Sequence, residues 1–299
     1  MTPQPDDRAR VAQLLEAAGL GAMRTMVPLA GTGNRTFGVR GDGFEVVVRL
    51  PGHDTAGLVD RIAEACNAAL AAERGVAPAI VHRDPIDGAM VMRRVAGPTL
   101  ATLPQGARGD ALGRLGQSLA RLHRGPAFLG TMDPWQKVAA YLGAAGLGDG
   151  ADPAAFGELW PHIGALRARC FLEPARLAPC HVDPNLANAI DEGGAVLLVD
   201  WEYSAMSEPL WDLAYVCVEG GLTPAEEAAL LAGYGSAGAA GRALADWKLV
   251  ARTVSAAWCM ARAAAAEDAA PWRAETAKRL AGLARDLDDA AANDRGAGR

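Results

Sequence analysis

His181-Val-Asp-Pro-Asn-Leu-Ala-Asn188 is followed by Ala-Ile-Asp-Glu-Gly-Gly194 and then by the apolar run Ala195-Val-Leu-Leu-Val-Asp200. Glu192-Gly193-Gly194 reads as a turn, so the run 195–200 folds back along 186–190 as a hairpin and brings Asp200 beside the polar loop. That loop then offers two carboxylates, Asp183 and Asp200, and the amide of Asn188, with His181 at its root. Phosphoryl transfer asks for these residue types. Its transition state is loose, so a protein chiefly aligns the acceptor hydroxyl and neutralises phosphate charge with Mg²⁺. Asp183 is the candidate to orient the hydroxyl, and Asn188 and Asp200 are the candidates to hold a hard cation through oxygen. An aspartate of ordinary pKa, about 4, is a weak base at neutral pH, but a late proton transfer demands alignment more than basicity. His181 suits ordering the loop by hydrogen bonds better than moving a proton. The bland alternative for the same residues is a polar hairpin loop with surface acids.

Upstream, the chain is β-rich. Residues 8–23 have helical spacing of Val11, Leu14, Leu15 and Leu20. The runs Leu29–Val39 and Gly43–Leu50 then read as strands around Gly41-Asp42-Gly43. In the second run Phe44, Val46, Val48 and Leu50 share one face, which turns Arg49 to the other. Residues 56–74 read as a helix carrying Arg61 and Glu64 and ended by Gly75, and Val76–Val81 and Ala89–Val95 as two more strands. Gly97-Pro98 is the candidate joint. Beyond it the chain turns helical: 110–124 with leucines at 112, 115, 119 and 122, then 135–144, 154–169, 209–219, 224–235, 242–266 and 271–292, with a frayed end from Ala290. The expectation is an α+β protein with a small N-terminal lobe, 1–97, and a larger, mainly helical C-terminal lobe, 98–299.

The 299 residues carry 29 Lys plus Arg against 35 Asp plus Glu, a net charge of −6. A mild acidic excess argues against non-specific nucleic-acid binding. Residues 177–241 hold ten acids and no Lys or Arg, so the rest carries 29 basic and 25 acidic residues, a net of +4. This segment is either a solvated acidic face or a site for metal and a cationic ligand. Only Lys137, Lys248 and Lys278 are lysines, and none stands in a Gly-Lys-Ser/Thr loop, which excludes P-loop chemistry. Five cysteines without C-x-x-C suit a reducing compartment, and Cys180-His181 has no second pair at zinc spacing. Tyr234-Gly-Ser-Ala-Gly238 lacks the first glycine of a nucleophile elbow, so a hydrolase is poorly supported. No apolar run approaches the length of a membrane span, and a cytoplasmic location is expected.

His181–Asn188, Leu198-Val-Asp-Trp-Glu-Tyr203 and Glu208-Pro-Leu-Trp-Asp-Leu-Ala214 together resemble the choline/ethanolamine kinase branch of the aminoglycoside phosphotransferase-like superfamily. Gly31-Thr-Gly-Asn-Arg-Thr-Phe37 resembles that branch's phosphate-covering loop, Val47–Gly52 its third strand and Asp60–Glu64 the helix with its glutamate. The likeness covers residues 29 to about 260, and 125–175 match only in character.

The resemblance implies a bilobal, protein-kinase-like fold binding ATP and Mg²⁺. Gly31, Gly33, Asn34 and Thr36 would cover the phosphates, and Met92 to Val95 would contact adenine. Arg49 would replace the usual strand lysine and pair with Glu64, its planar fork suiting phosphate oxygens; the plain alternatives are a surface arginine and a solvated glutamate. Asp212 would brace the catalytic loop, or simply favour the start of its helix. Glu202 and Trp258 would face the ammonium of a small cationic alcohol. A second tryptophan, expected one turn after Trp258, is replaced by Ala261 or Arg262, and Trp258 has helix core as its alternative. Trp201, Tyr203 and Trp211 are expected to pack around the loop. The implied activity is a small-molecule kinase, monomeric or homodimeric, with no nucleic-acid or membrane partner. Its rivals are an aminoglycoside-type phosphotransferase and a catalytically silent nucleotide-binding module.

Overall fold

The computed structural model describes residues 5–29, 34–52, 60–148, 156–236 and 241–297. The chain forms two compact units. The first comprises Met1–Gly130, Ala178–Met206 and Thr223–Gly235, and the second Thr131–Leu177, Ser207–Leu222 and Ser236–Arg299.

In the first unit helix α1 (Pro5–Ala17) precedes strands β1 (Met23–Pro28), β2 (Arg35–Gly41) and β3 (Phe44–Leu50). Helix α2 (Arg61–Glu73) and the hairpin β4 (Ile80–Arg83) and β5 (Met90–Arg93) follow. The five strands form one antiparallel sheet in the order β1-β2-β3-β5-β4. Alternation in β3 works as expected. Val46, Val48 and Leu50 are buried with Phe37, Val39 and Val91 and with Val11, Leu14 and Leu15 of α1, each contributing about 1.5–3 kcal/mol on burial. Arg49 therefore points to the opposite face.

Helix α3 (Gly109–His123) buries its leucine stripe at 112, 115, 119 and 122 and packs against α7 (Pro224–Tyr234). A Cβ on Gly116 would stand 2.1 Å from the Leu230 carbonyl oxygen, and one on Gly233 would stand 1.9 Å from that of Gly113. These glycines allow the two backbones to approach.

The hairpin read from the sequence is present as β7 (Ala189–Asp191) and β8 (Val196–Leu198), with Ala189 opposite Leu198 and Gly193 turning at φ 87°. It is held on several sides. Asp191 N–H donates to Pro98 O (3.0 Å), Ala101 N–H to Leu186 O (3.0 Å), Leu198 N–H to Val76 O (2.7 Å) and the Ser118 hydroxyl to Val196 O (2.6 Å). Arg114 pairs with Asp191 at 2.6 Å and Arg93 with Glu192 at 2.8 Å. Gly97, expected at a joint, has φ 142°, and a Cβ there would meet Asp191 O at 2.0 Å. A further two-stranded sheet pairs β6 (Ala178–Cys180) with β9 (Ala205–Ser207).

The second unit is helical: α4 (Pro134–Ala144), α5 (Trp160–Arg169), α6 (Pro209–Glu219), α8 (Gly241–Ala265) and α9 (Ala270–Ala297). Its centre is α8, which packs against each of the others. Asp133 caps α4 by accepting from Trp135 N–H. Glu219 accepts from Arg279 (2.7 Å) and from the Ser255 hydroxyl (2.6 Å), tying α6, α8 and α9 together. Among the described residues no helix is long and apolar enough to cross a membrane.

Some expectations require correction. The helix expected over 8–23 ends at Ala17, where Gly19 takes φ 70°, and is followed by the unforeseen edge strand β1. Only Met26 of β1 is buried, which leaves no alternation to read. Strand β4 begins at Ile80 rather than Val76, because Val76 and Ala77 donate to Ala71 O at the end of α2 and Pro78 has no N–H. Helix α2 starts at Arg61, capped by Asp60, and α5 at Trp160. Far from fraying at Ala290, α9 continues to Ala297.

Candidate functional site

The loop between β6 and β7 holds the candidate catalytic residues in a strained backbone. Val182 has φ 74° and Asp200, two residues beyond β8, has φ 66°. Left-handed conformations are costly for non-glycine residues, above all β-branched ones, and cluster at functional sites. His181 is fully buried; its Nε2–H donates to Val199 O at 3.0 Å and its ring meets Trp201 edge-on at 4.5 Å. Trp201 in turn donates from Nε1 to Leu198 O (3.0 Å). His181 therefore fastens the loop to the segment that carries Asp200.

Asp183 accepts two side-chain amides, Asn185 Nδ2 at 3.0 Å on Oδ1 and Asn188 Nδ2 at 3.3 Å on Oδ2. Asn185 is itself fixed, its Oδ1 accepting from Ala187 N–H and Asn188 N–H. Asn185 carries no distinguishing signal in the sequence, since an asparagine in a loop commonly closes an Asx turn. Here it does both. With Nδ2 of Asn188 directed at Asp183, its Oδ1 faces the other way, and its backbone oxygen accepts from Val199 N–H at 2.9 Å.

Beside this loop lies a cluster of charges. Arg49 donates to Glu64 of α2 through Nη1 and stands 3.7 Å from Asp200 Oδ1. The other Glu64 oxygen accepts from Arg61 at 2.9 Å. Both Arg49 and Glu64 are buried, so neither is the surface residue of the plain alternatives. Thr36 is opposite Arg49 in the β2–β3 register. Glu202 accepts from Asn34 Nδ2 at 3.0 Å and lies 4.0 Å from Arg61. Gly31 and Gly33 lie outside the described residues. Met92 is half-buried opposite Val47 in the sheet, and Val95 follows the end of β5.

Two arginines in this cluster, Arg49 and Arg61, face Glu64, Asp200 and Glu202, and Asp183 adds a further negative charge near Asp200. The Asp200 carboxyl is pushed up to about 7 by desolvation and by Glu202, against the pull of Arg49, with Glu64 and Asp183 adding to the rise. Its side chain is nevertheless 41% exposed, open to solvent on one side and surrounded by protein on the others. Surplus carboxylate, an amide oxygen and solvent access are the donor set of a hard divalent cation, and these residues fit one.

Asn67, one turn after Glu64 on α2, is fully buried. Its Nδ2 donates to Leu129 O (3.1 Å) and Ser204 O (3.0 Å), and its Oδ1 accepts from Leu129 N–H (2.8 Å). An asparagine inside the helical run Ala-Cys-Asn-Ala-Ala is the one sequence signal for it, since asparagine is a poor helix former.

Asp212 and Trp258 belong to the second unit. Asp212 is fully buried in the first turn of α6. Trp258 is 38% exposed and so is not helix core. It meets Trp272 of α9 edge-on at 5.2 Å, and Arg262 lies over the Trp272 ring at 5.0 Å. A tryptophan of the next helix thus stands beside Trp258. Trp201 and Trp211 are buried as expected, whereas Tyr203 is 42% exposed.

The model of the phosphotransferase enzyme family matches residues 25–247. A choline/ethanolamine kinase family protein from Mesorhizobium loti is 29% identical, with a TM-score of 0.79 and 94% of each chain covered. The choline kinase LicA from Streptococcus pneumoniae is 19% identical, with a TM-score of 0.74 over 94% of this chain and 99% of that one. A spectinomycin phosphotransferase solved with ADP and spectinomycin is 14% identical, with a TM-score of 0.69 over 96% and 99%. No curated protein matches the sequence.

Proposed function

The chain belongs to the phosphotransferase enzyme family, and from that premise we propose that it is an ATP- and Mg²⁺-dependent kinase. Its acceptor is a hydroxyl of a small cationic amino alcohol of the choline or ethanolamine kind. The observation that carries this reading is the Asp183 carboxylate held by two amides beside Asp200 and the Arg49–Glu64 pair.

ATP supplies the γ-phosphoryl group, and Mg²⁺ neutralises its charge when bound. Residues 1–97 serve the nucleotide. Arg49, locked by Glu64, binds phosphate oxygen; Gly31, Gly33, Asn34 and Thr36 flank the phosphates; and Met92 and Val95 border the adenine. Residues 98–299 serve chemistry and acceptor. Asp183 accepts a hydrogen bond from the acceptor hydroxyl and aims its oxygen, a gain of alignment more than of basicity. Asn188 and Asp200 would hold the metal, which would supply charge neutralisation at the phosphates. His181 keeps the loop in place. Trp258 is assigned to the acceptor's ammonium, whereas Glu202, the other candidate, is engaged by Asn34 and Arg61. The cationic preference is supported by an exposed, cation-tolerant aromatic pair; of the ten acids in 177–241, Asp191, Glu192, Glu219 and Glu226 are neutralised by arginines from outside that segment.

The test is an ADP-release screen over choline, ethanolamine, related amino alcohols and several aminoglycosides, with Asp183→Asn as control. Asp183-dependent turnover with an amino alcohol supports the reading. Turnover confined to aminoglycosides moves the chain to that acceptor class, and no Asp183-dependent turnover at all means a silent nucleotide-binding module.

A further inference from the structure

Glu64 and Asn67 stand three residues apart on α2 and so project from the same side of the helix, both buried. Glu64 grips Arg49, which reaches toward Asp200. Asn67 grips two backbone segments at once: Leu129, through both its N–H and its oxygen, and Ser204, in the turn that follows Asp200. That turn is closed on itself, since Ser204 donates to Trp201 O from its backbone N–H (3.0 Å) and from its hydroxyl (2.7 Å). A rigid piece of backbone, Asp200 to Ser204, is thereby fixed at both ends. His181 holds its start through Val199 O, and Asn67 holds its finish.

We propose that Asn67 is a positioning residue. It sets the distance between the helix that carries Glu64 and the turn that carries Asp200 and Glu202, and so keeps the Arg49 fork and the Asp200 carboxylate in register for Mg²⁺-nucleotide. A buried amide suits this because it supplies a donor and an acceptor together; a carboxylate supplies only acceptors and a hydroxyl has less reach. Loss of the amide leaves the Leu129 N–H, the Leu129 oxygen and the Ser204 oxygen without their partner, and the turn is then free to drift from α2. A shift of about 1 Å at such a distance can cost up to about 100-fold in rate.

This inference rests on the phosphotransferase reading, and the experiment separates the two. In an Asp183→Asn background, which cannot turn over, ATP binding is measured by calorimetry with and without Mg²⁺ for Asn67 and for Asn67→Ala. We expect Mg²⁺ to tighten ATP binding in the parent, and Asn67→Ala to lose about tenfold of that tightening while binding metal-free ATP as before. In the Asp183 protein, Asn67→Ala is expected to lower kcat about 30-fold with the acceptor KM within twofold. Thermal melting identifies the folded variants; if Asn67→Ala does not fold, Asn67→Asp, which keeps the size and the acceptor for Leu129 N–H, is measured in its place. A folded variant with parental Mg²⁺-dependent ATP binding and kcat overturns the proposal and leaves Asn67 as a stabilising residue only. An unmutated protein that does not bind ATP overturns the ATP-dependent kinase reading instead.

Discussion

The guanidinium of Arg49 and the carboxylate of Glu64 meet with side-chain exposures of 7% and 1%, on the face of β3 opposite the apolar core. Burial of a charge pair is costly unless geometry and further hydrogen bonds compensate it, and Arg61 supplies one such bond on the other Glu64 oxygen. The arrangement makes a fixed fork beside Asp200. Arg49→Ala is expected to lower kcat/KM for ATP about 100- to 1000-fold, the cost of removing one preorganised donor. Arg49→Lys, which keeps charge but loses the fork, is expected to recover only part of this. Removing one partner of a buried pair also destabilises, by about 3–5 kcal/mol, so melting is followed beside steady-state kinetics. Parental kcat/KM in folded Arg49→Ala would remove Arg49 from the phosphate site.

Asn185 holds one oxygen of Asp183 and Asn188 the other. Asn185 is not itself assigned to metal, and although its Oδ1 also accepts from Asn188 N–H, the backbone bond from Asn188 N–H to Asn185 O remains in an alanine variant, so its removal acts chiefly on the orientation of Asp183. Asn185→Ala is expected to lower kcat about tenfold, with KM for ATP and the Mg²⁺ requirement unchanged, whereas Asp183→Asn abolishes turnover. A change confined to the Mg²⁺ requirement would instead make Asn185 part of the metal site.

Glu226 gives the fold an acid-sensitive tie. Burial alone would raise its pKa, but the Arg108 side chain, the backbone N–H groups of Thr223 and Gly106 and the Thr223 hydroxyl together pull it down to about 2, from an ordinary value of 4.5. A carboxylate whose pKa is lower folded than unfolded contributes stability in full above about 4.5, and loses it as pH falls toward 2. In urea melts the parent is expected to exceed Glu226→Gln by about 3 kcal/mol at pH 7, with the difference shrinking steadily from pH 4.5 to pH 3. A difference that does not change over that range would show that the Arg108–Glu226 pair contributes nothing through its charge.

The parts of the fold legible in the sequence are those with a strong local signal. The 181–200 hairpin is marked by a Gly-Gly turn between an asparagine-rich loop and a run of aliphatics, and α3 by four leucines at helical spacing. Strands β6 and β9 have three residues each, too few for any period to show. The placing of Glu202 against Asn34 and Arg61 joins residues 168 and 141 positions apart, and the Trp258–Trp272 contact joins two helices. No spacing rule reaches across such separations. Asn67 was hidden for a different reason: its partners are mainly backbone groups, which leave no trace in residue type.

Trp258 carries the sharpest question about the acceptor. It is 38% exposed and edge-on to Trp272, whose ring already has the Arg262 guanidinium over it at 5.0 Å. The pair therefore tolerates a cation on an aromatic face, and because Arg262 is tethered to Trp272, the ring open to a diffusing ammonium is that of Trp258. One such contact is worth about 1–2 kcal/mol when desolvated, or roughly tenfold in affinity. Trp258→Ala is expected to raise the KM of the preferred amino alcohol about tenfold, with the KM for ATP within twofold, and Trp258→Phe to lie between. An uncharged alcohol of the same shape should be insensitive to the change, because it gains nothing from the ring's charge distribution. If Trp258→Ala lowers kcat for charged and uncharged acceptors alike with KM unchanged, Trp258 acts through the packing of α8 against α9, and the ammonium is recognised elsewhere.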